Sequence, residues 1–288
     1  MKRSLTLLIV LSLILLSLTL SSCQDKNETE PTVPDQTEAT QPVMTIVLTA
    51  PPETIPPTEE PTKYVSDGVR SDPDDVYDAT GFVSLSEVIP SVELDIRYYS
   101  DYNFVGERIN GYEEPLALLS KEAAEALSDA ADDLAEQGYG IKIYDAYRPQ
   151  TAVDHFISWA SDWSDTRMKE DFYPELDKSV LFDYGYIAYR SGHSRGCTVD
   201  ITLYDLDTKE DVDMGGTFDY FGQLSHPDYT GISDEQYQNR MILREAMTDN
   251  GFRACPTEWW DFTLIDEPYP YTYFTFPVSS ESLKNNEN

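Results

Sequence analysis

Cysteine and basic residues are scarce in this chain, and each shortage removes a class of protein. Three Cys are too few for a disulfide scaffold and wrongly spaced for a tetrahedral thiolate zinc site. Against 53 Asp+Glu there are only 20 Lys+Arg, a formal net charge of −33. A surface of that sign repels polyphosphate backbones, so nucleic acid is excluded as a partner. Also missing are internal repeats, a glycine-rich phosphate loop and a regular βαβ alternation. No apolar run reaches the roughly 20 residues that a hydrocarbon core requires. What the chain does have is 40% hydrophobic and 12% aromatic residues, including 20 Tyr. An acidic disordered chain is poorer in aromatics, so a globular core is expected.

The longest apolar run, residues 5–20, follows Lys2-Arg3 and closes with Leu20-Ser21-Ser22-Cys23. It reads as an export signal rather than a spanning helix. The closing tetrapeptide resembles a bacterial lipobox, which implies a signal peptide over residues 1–22 and lipidation of Cys23. The expectation is an extracytoplasmic lipoprotein held to the membrane by its lipid anchor. Residues 24–62 then carry eight Pro, nine Thr and eight acidic residues with no Gly. That composition cannot build a packed element, so residues 23–76 are expected to form an extended stalk. The domain boundary falls near Tyr77, leaving residues 77–288 for one globular unit.

Within that unit, Ala124, Leu127, Ala131 and Leu134 recur at helical spacing, with Ser120 as N-cap and Gly138 as a stop. Residues 141–145 alternate as a strand that ends before Tyr147-Arg148-Pro149. A second helix is predicted through Phe156 and Trp159. Residues 197–204 alternate again, with Val199, Ile201 and Leu203 on one face and Asp200 on the other. Ser233 to Gln236 matches a capping box opening a helix to Asn250-Gly251, and a further strand is predicted around Trp259. Helices and strands interspersed in this way predict an α+β domain with a mostly antiparallel central sheet flanked by helices.

Only three histidines occur, at 155, 193 and 226. His193 stands among small residues in Ser191-Gly192-His193-Ser194-Arg195-Gly196, and a strand delivers Asp200 seven positions on. Imidazole plus carboxylate suits a divalent cation, although a His–Asp hydrogen bond in a turn fits the same spacing. His155 and His226 read as structural or loop residues, and Trp259 and Trp260 as core or pocket-wall aromatics.

Ser-x-His-x-x-Gly-x-x-x-Asp at 191–200, Glu258-Trp259-Trp260 and Asp145-Ala146-Tyr147-Arg148-Pro149 together resemble the VanX-type D-alanyl-D-alanine dipeptidases, a zinc D,D-peptidase family. Supporting stretches are residues 94–98, 103–106, 213–219 and 238–240. The resemblance implies one Zn2+ on His193 and Asp200, Glu258 as general base and Arg148 as the group stabilising the tetrahedral intermediate. It also implies substrate contacts from Ser191 and Asp219 to the free ammonium group. The implied substrates are D-Ala-D-Ala or related wall peptides, cleaved by a dipeptidase or, on longer peptides, a D,D-carboxypeptidase.

One position departs from the pattern. Where the family carries its third zinc-ligand histidine, this chain has Asp261. A carboxylate oxygen can bind zinc, but two anionic ligands cancel the ion's charge, so its water is less acidic, and Mn2+ or calcium can compete. A site too impaired to catalyse would leave a wall-peptide-binding protein instead. Glu258 and Asp261 would also face opposite ways in an ideal strand, so Glu258 must precede the strand or sit at a bulge. Cys197 and Cys255 flank these motifs, either as a bridge or as two free thiols.

Overall fold

A computed structural model describes residues 76–284 of the protein. The export run, Cys23 and the stalk lie outside the described residues. The chain first lays down β1 (Phe82–Ser84), α1 (Leu85–Val88), β2 (Glu93–Leu94) and β3 (Leu118–Ser120). Then follow α2 (Lys121–Glu136), β4 (Tyr139–Asp145), α3 (Gln150–Ser161), α4 (Lys169–Phe172) and β5 (Thr198–Asp205). α5 (Asp234–Asp249), β6 (Phe252–Ala254), β7 (Asp261–Leu264) and α6 (Ser280–Lys284) complete it. No helix among the described residues is long and apolar enough to cross a membrane.

The expected α+β architecture is observed. β1 and β3 make a small antiparallel pair, and five strands form a sheet in the order β2-β4-β5-β7-β6. Only the β2–β4 pairing is parallel. α2 forms where the spacing predicted it because Ala123, Ala124, Leu127, Ala130 and Leu134 make one stripe with no solvent exposure. The Ser120 hydroxyl accepts from the Ala123 amide at its start. The chain leaves through Gly138 at φ +90°, a left-handed turn that glycine adopts without strain. Each fully buried leucine of such a stripe is worth about 1.5–3 kcal/mol of apolar transfer. At α5 the capping box is complete, with Ser233 and Gln236 each satisfying the other's backbone amide.

β5 is the central strand, and its alternation is hidden because both of its faces are covered. Val199, Ile201 and Leu203 fill the apolar side, yet Asp200 opposite them is only 2% exposed. An aromatic wall covers that second side. Tyr98 packs against Phe104, Tyr112, Phe156 and Phe218, and Phe218 packs on Trp260. The last strand of the sequence reading starts at Asp261, two residues later than Trp259. Trp259 and Trp260 instead occupy a turn and are buried.

Candidate metal centre and active site

Strand pairing sets three aspartates side by side. Asp145 of β4 is the register partner of Asp200 of β5, and Asp200 is the partner of Asp261 of β7. The first match depends on an irregularity between Ile143 and Asp145, where β4 carries one extra residue. Without that bulge Asp145 would turn to the opposite face. His193 enters from the side, in a 3-10 turn (Gly192–Arg195) that Ser191 caps by accepting the His193 amide. Gly196 follows at φ +78°, a conformation that lets the chain reverse directly into β5.

The donor atoms converge on one point. His193 Nδ1 lies 2.8 Å from the Ala146 carbonyl oxygen, so Nδ1 carries the proton and Nε2 presents its lone pair. Burial, reinforced by the Arg148 charge, pushes the imidazole pKa down to about 3, so it is neutral at ordinary pH. Facing Nε2 are Asp261 Oδ2 at 3.3 Å and Asp200 Oδ2 at 3.5 Å. Ligands bound at about 2.0–2.2 Å in a tetrahedron stand about 3.3–3.6 Å apart, so each of these two separations from Nε2 suits a small dication. The other oxygen of Asp200, Oδ1, is buried without a hydrogen-bond partner. Burial and the neighbouring Asp261 charge push the Asp200 carboxyl well above the usual carboxylate range. A cation at this point would neutralise the carboxylates and satisfy the orphaned oxygen, so the residues present fit a metal.

Asp145 also lies within reach, since Asp145, His193 and Asp200 offer ligand atoms all within 4.8 Å of one another. Its oxygens also accept two hydrogen bonds. Tyr112 Oη donates to Oδ1 at 2.6 Å and Arg148 Nε donates to Oδ2 at 2.9 Å. His193 turns toward Asp145 the nitrogen that is protonated, at 3.6 Å. Four donors therefore surround this point: Asp145, His193 and Asp200 have ligand atoms all within 4.8 Å of one another, and Asp261 Oδ2 also faces His193 Nε2.

Arg148 and Glu258 complete the chemistry-bearing groups. Arg148 Nη2 reaches Asp200 Oδ2 at 3.4 Å, and its guanidinium lies over the Tyr98 ring at 4.9 Å. Glu258 precedes β7, in a turn that returns its carbonyl to the Asp261 amide. It therefore escapes strand alternation and comes close to the aspartates. Burial and the Asp261 charge push its carboxyl up to about 7. Asp219 is buried, receives the Tyr98 hydroxyl at 2.8 Å, and is pushed up to about 8 chiefly by burial. Its φ of +60° is unusual for a non-glycine residue. Arg240 holds that conformation in place by donating to the carbonyls of Met214, Leu224 and His226 on either side. The conjunction of residues 213–219 with 238–240 in the sequence thus has a structural cause.

The other singled-out residues lie apart from this chemistry. His155 accepts the Asn110 amide and pairs with Glu107, and His226 serves through its carbonyl. Cys197 and Cys255 are free thiols, Cys197 contacting the Ser120 hydroxyl. β7 lies between the strands that precede or follow them, which leaves the two too far apart to bridge. Sequence reasoning gave no role to Tyr98, Tyr112 or Asp145. Asp145 had a signal in its motif, whereas Tyr112 had none.

Comparison with known proteins adds to this geometry. A family model described as D-ala-D-ala dipeptidase matches residues 78–279. The chain is 44% identical over 199 residues to the D-alanyl-D-alanine dipeptidase of Enterococcus faecalis, covering 69% of this chain and 98% of that one. Against the enzyme of the same name from Enterococcus faecium the identity is 43% over 198 residues, with the same coverage. It is 32% over 187 residues against that of Escherichia coli, covering 65% of this chain and 86% of the relative.

Proposed function

The chain belongs to the D-Ala-D-Ala dipeptidase family, a metallopeptidase family, and on that premise we propose that it hydrolyses free D-Ala-D-Ala to two D-Ala with one zinc ion held by His193, Asp200 and Asp261. The observation that carries the reading is the convergence of Asp200 and Asp261 on the unprotonated Nε2 of His193, with Asp200 Oδ1 unsatisfied. Bound there, zinc supplies Lewis acidity and lowers the pKa of a water towards about 7.

The protein's own groups do the rest. Glu258, poised near neutrality, takes a proton from the attacking water and returns it to the leaving amine. The Nη donors of Arg148 face the developing oxyanion, and such a donor is worth about 3–4 kcal/mol of barrier. Asp219, buried against Tyr98, supplies the carboxylate for the substrate ammonium, with Ser191 beside the His193 turn. A buried carboxyl in that role, ionised when the ammonium binds beside it, favours short substrates with a free amine over blocked wall peptides. The lipobox-like tetrapeptide supports a place outside the membrane, where the substrate is dipeptide released in wall turnover. Purified domain should release D-Ala from D-Ala-D-Ala much faster than from the N-acetyl dipeptide. Equal or reversed rates would favour a D,D-carboxypeptidase.

A second reading rests on Asp261. Two carboxylates in one ligand set lower the ion's effective charge and admit Mn2+ as an alternative occupant. If the purified domain holds no stoichiometric metal, a non-catalytic wall-peptide-binding protein becomes the better account.

A further inference from the structure

Asp145 lies beside the proposed ligands, is only 1% exposed and has a ligand atom within 4.8 Å of those of His193 and Asp200. Both of its oxygens accept hydrogen bonds. Tyr112, 2% exposed and 33 residues upstream, gives its hydroxyl proton to Asp145 Oδ1 at 2.6 Å. The other oxygen receives Arg148 Nε at 2.9 Å. The guanidinium is thus held at its Nε edge by Asp145 and on its face by the Tyr98 ring, with its Nη side turned to Asp200. Each Asp145 oxygen thus already accepts one hydrogen bond.

We propose that Tyr112 and Asp145 are positioning residues, and that their hydrogen-bonded pair serves to aim Arg148 at the scissile group. The idea rests on the dipeptidase reading for its kinetic part alone. A carboxylate that holds Arg at one edge and accepts a buried phenol costs nothing in reorganisation when charge develops on the substrate. Removing the phenol leaves a buried carboxylate oxygen unsatisfied. That oxygen can recover its loss only by drawing on the guanidinium or on the cation.

The test uses the domain loaded with zinc, with metal affinity measured by chelator competition and kinetics measured on D-Ala-D-Ala. Tyr112→Phe should lower kcat about tenfold and Asp145→Asn about 100-fold, with KM changed less than threefold. Zinc affinity should stay within about tenfold of wild type in both, whereas Asp200→Asn should lose more than 100-fold. In an Arg148→Ala background neither Tyr112→Phe nor Asp145→Asn should cost more than about twofold, because both act through the arginine. Additive losses in that background would overturn the proposal. So would an Asp145→Asn variant that loses zinc as severely as Asp200→Asn, since Asp145 would then be a ligand. Should Asp145→Asn fail to fold, Tyr112→Phe, which deletes one oxygen, carries the cycle alone. If wild type proves inactive on the dipeptide, the dipeptidase reading falls. The same cycle is then read from binding of a phosphinate isostere of D-Ala-D-Ala, which presents the tetrahedral oxygens that Arg148 is aimed to meet.

Discussion

On the proposed reading the chemistry turns on Asp261, whose carboxylate faces the same His193 nitrogen as that of Asp200. Exchanging it for a neutral imidazole raises the cation's effective charge and makes its water more acidic. Asp261→His should therefore tighten zinc binding by about tenfold or more and raise dipeptide turnover, as measured by plasma emission and D-Ala release. Glu258→Ala added to that variant should remove the turnover by about 10²–10⁴-fold while zinc stays bound. A wild type that already holds zinc fully and outruns Asp261→His would show that Asp261 serves this site better than a histidine does. Asp219 supplies a pH signature of its own. Its carboxyl lies near 8 in the folded protein against about 3.9 in an unfolded chain, so the folded state keeps the proton longer. A raised acid contributes stability that is complete below pH 4 and lost as pH climbs to about 8. The stability of wild type relative to Asp219→Asn should accordingly shrink across pH 4–8 by roughly 2–5 kcal/mol. Urea unfolding of the metal-free proteins at several pH values reads this directly, and a flat difference would show that Asp219 is ionised throughout. The same substitution should raise KM for the free dipeptide.

At the scale of elements, α5 does more than pack against α2. Its buried Arg240 is the clamp that gathers the carbonyls of Met214, Leu224 and His226, and Gln236 and Asn239 hold Asp213 at the start of the same segment. The loop between those carbonyls carries Asp219 in its left-handed conformation. Arg240→Met fills similar space but leaves three carbonyls without a charged donor. The variant should lose about 3–5 kcal/mol in urea unfolding and show a raised KM with a smaller effect on kcat. A change in stability with KM untouched would mean that the loop keeps Asp219 in place without the clamp. The β4 bulge is the second device at this scale. It costs one irregular pairing and in return turns Asp145 to the side of Asp200.

For the whole molecule, the catalytic motifs, both capping motifs and the aromatic wall all lie downstream of residue 76. The fragment of residues 77–288 should unfold cooperatively by itself, and non-coincident transitions by fluorescence and circular dichroism would move the boundary. If Cys23 carries the lipid that the lipobox-like tetrapeptide implies, Cys23→Ala should shift the full chain from the membrane to the soluble fraction. Persistent membrane association would mean that the apolar run at residues 5–20 is retained.

The sequence alone determined what is local. The α2 stripe with its Ser120 cap, the capping box at Ser233 and the alternation of β5 depend on neighbours a few residues apart, so their spacing announces them. His193, Asp200, Arg148, Glu258 and Asp261 were legible too, through ordered motifs that a resemblance made specific. Tertiary structure decided how those groups meet. Asp145, Asp200 and Asp261 form a row only through antiparallel register and one bulge, and register is set by burial of entire strand faces. Glu258 escaped the alternation problem because the chain turns before β7, a choice made by where Trp259 and Trp260 are buried. Tyr112 and Tyr98 reach Asp145 and Asp219 across 33 and 121 residues of chain. No local free energy encodes such pairs; they exist because the aromatic wall and the sheet close on each other, and a buried carboxylate must then find its donors wherever the fold brings them.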